Sequence, residues 1–74
     1  MAKKKADTGI YRVTEIIGTS PTSWEDAARN AVETAAKSLR DLRIAEITKL
    51  DVKVEDGKIT QFRARLALSF KYDA

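Results

Sequence analysis

The stretch KITQFRARLALSFKY, residues 58–72, decides the fold. Phe62, Ala64, Leu66, Leu68, Phe70 and Tyr72 fall at every second position, and Gln61, Arg63, Arg65, Ser69 and Lys71 stand between them. A period of two puts one set on each side of a β-strand, so this long strand has one dry face and one polar face. Just before it, Glu55-Asp56-Gly57-Lys58 reads as a tight hairpin turn, because Asp-Gly supplies the positive φ values that such turns need. Residues 44–54 then form the strand on the other arm of the hairpin, with Leu50, Val52 and Val54 on one side.

Upstream, residues 10–17 (IYRVTEII) are rich in β-branched side chains and form a first strand, bounded by Gly18; Tyr11, Val13, Glu15 and Ile17 share one face. The run GTSPTS, residues 18–23, is a turn leading into a helix, with Thr22 and Glu25 spaced as a capping box. From Trp24 to Leu42 the apolar residues recur with a 3.6-residue period and are mostly alanine, so the helix can lie close on a sheet. Glu25 and Asp26 suit its N-terminal end, and Lys37, Arg40 and Arg43 suit its C-terminal end. Arg29, Glu33 and Lys37 run along its solvated side. The fold class is therefore α+β: a β-α-β-β chain whose three-stranded antiparallel sheet has the last strand in the middle and partly wraps one helix.

The chain has 74 residues, which allows one domain over residues 9–74 behind a flexible basic tail at 1–8. It has no cysteine and no histidine, so disulfides, thiolate metal sites and the usual neutral-pH base are excluded. The net charge is +3; without Lys3, Lys4, Lys5 and Asp7 the body carries 11 basic and 10 acidic groups, too even for a specific nucleic-acid face. No run is long enough for a membrane span and no leader is visible, so a cytoplasmic protein is expected.

A strand over residues 58–72 spans about 50 Å at 3.3 Å per residue. A helix over residues 24–42 spans about 28 Å at 1.5 Å per residue. One helix cannot cover that apolar face. Free strand edges add to the exposure, and further copies of the same chain are the economical cover.

No nucleophile–base pair or phosphate loop is present, so no catalytic residues are expected. Gly18-Thr19-Ser20-Pro21 reads either as an anion cradle at a helix start or as a cap. Trp24 reads as a stacking plate or as a core or interface residue. Arg63 and Arg65 read as anion contacts for phosphate or carboxylate, or as partners of Glu46 and Asp51. Glu55-Asp56-Gly57 reads as a cation contact or simply as a turn.

The runs IIGTSPTSWEDAA, LRDLR and EDGKI, with the alternating last strand, resemble the dodecin family over residues 10–72. That resemblance implies a hollow homododecamer whose sheets line the shell, and, in many members, storage of flavins stacked in pairs at subunit contacts. The family's stacking Trp falls at Ile44, its flavin-contacting Gln at Arg63, and a basic residue near the ligand's phosphate end at Asp51. An aliphatic Ile44 has no planar face, Arg63 cannot accept a hydrogen bond, and Asp51 repels phosphate. The chain is thus most similar to the subgroup lacking the stacking Trp, the calcium-dodecin-like proteins. The resemblance implies a non-enzymatic, self-assembled protein that binds or stores a small ligand or a cation such as calcium, with Asp51 and Glu46 as candidate metal ligands. The alternative is a riboflavin or FMN storage protein with an altered pocket.

Overall fold

The computed structural model describes residues 9–71. The basic tail at 1–8 and Tyr72 lie outside the described residues. The chain runs β1 (Tyr11–Ser20), α1 (Trp24–Ala36), β2 (Leu42–Glu55) and β3 (Lys58–Lys71). The strands form one antiparallel sheet in the order β1-β3-β2, with the alternating strand at the centre as expected.

Two residues turn the β2–β3 hairpin. Asp56 has φ of 52° and Gly57 of 74°, the left-handed pair that matches the natural twist of antiparallel strands. Irregularities in the β2–β3 register near Thr48 and Val54 bend the ribbon further.

The helix differs from the sequence expectation at both ends. Ser23, not Thr22, caps it: the Ser23 hydroxyl accepts from the Asp26 N–H at 3.0 Å. At the other end α1 stops at Ala36 rather than continuing to Leu42. The Lys37 and Ser38 N–H groups donate three residues back, to Thr34 and Ala35, which tightens the last turn. Asp41 then takes a left-handed φ of 56° and reverses the chain, and Leu42 pairs with Phe70 on the sheet. Burial of Leu42 against the sheet outweighs one more helical turn. Arg40 and Arg43 consequently lie beyond the helix, and its last turn contains no basic residue.

β1 is also longer than residues 10–17, because Gly18 lies within it, opposite Ala64. Gly18 stays in the strand because α1 rests directly on it. A Cβ built there would collide with the Ala27 carbonyl oxygen and lie 2.7 Å from the Ala31 Cβ. Ala27, Ala31 and Ala64 are buried around this point, joined by Leu66 and Leu68. These small side chains set a short helix–sheet distance.

Ser20 ties the start of α1 to the end of β1. Its buried hydroxyl donates to Asp26 Oδ2 at 2.7 Å and accepts from the Thr22 N–H at 2.9 Å. A Ser20→Ala variant leaves these groups without their partner, and unfolding in urea is expected to show a loss of about 1–3 kcal/mol.

The core is small. The radius of gyration is 15.7 Å, against about 11 Å for a compact chain of this length, and the molecule is 59 Å long. The helix leans over β1 and β3 and barely reaches β2. Leu66 and Leu68 in the middle of β3 are therefore well covered, and the bare apolar surface on the helix side lies along β2 and at the hairpin end of β3. Ile47 and Leu50, on the helix side of β2, are each 50% exposed, and Val54 and Ile59 stand open near the hairpin tip.

Candidate functional site

Register puts the sequence-predicted residues on the sheet face turned away from α1. The odd-numbered residues of β3 point there, and their cross-strand partners follow them. Thr19, Arg63 and Asp51 form one row; Ile17, Arg65 and Lys49 form the next; Glu15, Ala67 and Glu46 the third; Val13, Ser69 and Ile44 the fourth.

Arg63 and Asp51 meet directly. Arg63 Nε donates to Asp51 Oδ1 at 2.7 Å and Nη2 donates to Oδ2 at 3.1 Å, a two-pronged pair. The Trp24 indole fixes the same place from the helix side: Nε1 donates to the Asp51 carbonyl at 3.0 Å. Its ring stands edge-on to Phe62, with centroids 5.2 Å apart and planes at 77°. Trp24 is 40% exposed, so it belongs to the rim of the core. Of the two readings of Arg63, pairing with Asp51 is the one present in the protomer.

The hydrogen bonds from Arg63 hold the Asp51 carboxyl below the usual aspartate value; the charges of Arg63 and Arg65 reinforce this and desolvation opposes it. The same pairing raises Arg63. A depressed carboxyl stabilises the fold above its unfolded value, and that contribution vanishes as pH falls through its folded value. Asp51→Asn should therefore flatten the acid-side decline of melting temperature. Melts of both proteins from neutral pH down through the carboxylate range check this. Both side chains are exposed, so the expected difference is small.

Arg65 takes neither Glu46 nor Asp51; its guanidinium approaches Glu15 of β1 at 3.9 Å. Ile44 is 58% exposed and sits six register positions from Arg63, about 20 Å along the strand. Glu46 and Asp51 are four positions apart on β3's register, about 13 Å. One protomer thus joins Arg63 with Asp51 and holds Ile44 and Glu46 apart from them. Among the described residues no three acidic groups gather as a metal cluster, and both Asp51 oxygens already accept from Arg63.

Two features were not legible in the sequence. The run Gly18-Thr19-Ser20-Pro21 reads as an anion cradle or a cap, but nothing in it shows that Ser20 is buried and central to the helix start. A groove of about 490 Å³ also runs between α1 and the free edge of β1, with Ile16, Gly18, Ala31 and Ala35 as floor and Asn30 and Thr34 on its rim. Only the lean of the helix creates it. No helix among the described residues is long and apolar enough to cross a membrane.

Comparison with known proteins supplies the wider setting. The family model described as Dodecin matches residues 10–73. The calcium dodecin of Mycobacterium tuberculosis (strain ATCC 25618 / H37Rv) is 51% identical over 63 residues, which is 84% of this chain and 87% of that one. A crystal structure of that species' calcium dodecin, described as calcium-chelating with a novel calcium-binding site, superposes with a TM-score of 0.77 at 48% identity over 86% of this chain and 91% of that one. Dodecin from Streptomyces coelicolor superposes with a TM-score of 0.86 at 38% identity, over 93% and 99% of the two chains.

Proposed function

Since this chain belongs to the dodecin family, we propose that it acts as a non-enzymatic, self-assembled binding and storage protein, a homododecamer that holds a small ligand or cation. The observation that carries the assembly is the bare apolar lip of β2. Ile47 and Leu50 are half open to solvent, and among the described residues only five apolar side chains are buried. A surface of this kind on a small core calls for partners. The body of the chain, with 11 basic and 10 acidic groups once Lys3, Lys4, Lys5 and Asp7 are set aside, offers no concentrated basic face for nucleic acid, and the reading places the protein in the cytoplasm.

Ligand choice follows from the three pocket positions. Ile44 offers no plane for an isoalloxazine ring, and Arg63 is engaged by Asp51. Both features speak against the usual flavin stack, and storage of riboflavin or FMN in an altered pocket is the alternative reading. A cation such as calcium is supported by the calcium dodecin relative. Asp51 and Glu46, about 13 Å apart in one protomer, would each need oxygen ligands from a second copy. At Asp51 calcium would compete with Arg63.

Native mass spectrometry tests the assembly. Twelve copies of 8.2 kDa give a peak at about 98 kDa; a peak at one protomer mass would refute the shell. Calcium added to the same sample should appear as added mass, and Arg63→Gln should strengthen its binding by releasing Asp51. Stoichiometric quenching of FMN fluorescence would instead restore the flavin reading.

A further inference from the structure

We infer that the β2 lip of one protomer, Ile47 and Leu50, seats in the groove between α1 and β1 of the next protomer. This rests on the assembly proposed above and specifies which surfaces meet. The two features lie at opposite edges of one sheet. The lip is an apolar ridge on the helix side of β2, the strand that α1 touches least, and Ile47 and Leu50 are left half exposed there. The groove is an apolar hollow on the helix side of β1, where α1 leaves the other edge open. Both are on the same side of the sheet, so a neighbour that approaches edge to edge brings ridge and hollow to the same level. The incoming Ile47 and Leu50 would then cover the flank of α1 that faces away from its own β2.

The occupant is a second copy for three reasons. The groove floor of Ile16, Gly18, Ala31 and Ala35 has no charged group, which suits branched apolar side chains. The same molecule carries a ridge of that chemistry that its own fold leaves half exposed. A radius of gyration of 15.7 Å also marks a protomer that is far from closed on itself. Ridge and groove are different surfaces, so the contact is heterologous, and a rotation that closes produces a ring rather than a pair.

The chain contains no cysteine, so engineered thiols report only on themselves. Leu50→Cys and Thr34→Cys are prepared separately, co-refolded as an equal mixture, and oxidised. Thr34 is an exposed residue of the groove rim. The mixture is expected to give a reducible covalent dimer carrying one of each variant, while neither variant oxidised alone gives more than a trace. Native mass spectrometry of the same samples separates the possible failures. Assembled protein without the mixed dimer overturns this pairing and leaves the shell intact. A protomer mass overturns the shell and the pairing together. A dimer formed equally well by Leu50→Cys alone also overturns the pairing, because the lip would then be meeting another lip.

Discussion

Gly18→Ala is expected to yield little or no folded protein. The added methyl group has nowhere to go: it meets the Ala27 carbonyl oxygen, which is helix backbone, and the Ala31 Cβ. A flexible side chain could swing aside, but backbone must move as a rigid helix. The helix would have to lift from the sheet along the whole Ala27–Ala31 contact, opening the core over Ala64 and Leu66. Overpacking costs about 1–3 kcal/mol, occasionally more, and a clash with helix backbone falls at the upper end, a large share of the roughly 4–11 kcal/mol expected for a chain of 74 residues. Soluble yield and far-ultraviolet circular dichroism check it. Gly57→Ala is the control. Nothing lies within 4 Å of its added Cβ, so only the positive φ of 74° opposes it, about 1–2 kcal/mol, and it should fold. A Gly18→Ala protein as soluble and as stable as the control would show that helix and sheet are not in close contact.

Leu50→Asp is expected to abolish the assembly. Burying a leucine at a contact contributes about 1.5–3 kcal/mol. The substitution removes that gain and leaves a carboxylate to be desolvated without a partner, costing several kcal/mol more. In the proposed assembly every copy would contribute one lip, so the penalty would recur around the shell. Sedimentation velocity should show the large species replaced by protomers or small aggregates, with a lower melting temperature. Lys53→Asp, on the face of β2 turned away from α1, controls for added negative charge and should leave the mass unchanged. An intact shell in Leu50→Asp would mean that the β2 lip is not an interface.

Most of the fold was legible because its signals are local. The alternation through Phe62, Ala64, Leu66 and Leu68 identified the central strand and its dry face, and Asp56-Gly57 identified the hairpin. Even the alanine stripe of α1 announced a close contact. Helix ends were less legible: Ser23 and Thr22 are equivalent cap formers by sequence, and the periodicity from Leu39 to Leu42 continues past the true end at Ala36. That end is set by Leu42 packing beside Phe70, a contact between residues 28 apart.

At the site the division follows the same line. Charge and chemistry at Asp51, Arg63 and Ile44 could be read one residue at a time. Which groups meet could not be read that way. Register joins Arg63 to Asp51 and carries Arg65 to Glu15 instead.

By itself the sequence determined the strands, the helix face, the turn and the shortage of catalytic groups, because side-chain periodicity and backbone preference act over a few residues. Only the tertiary structure decided where the apolar surface is left bare. That depends on how far one short helix, drawn onto Gly18 by the absence of a Cβ, can lean across a three-stranded sheet. It leans over β1 and β3 and touches β2 least.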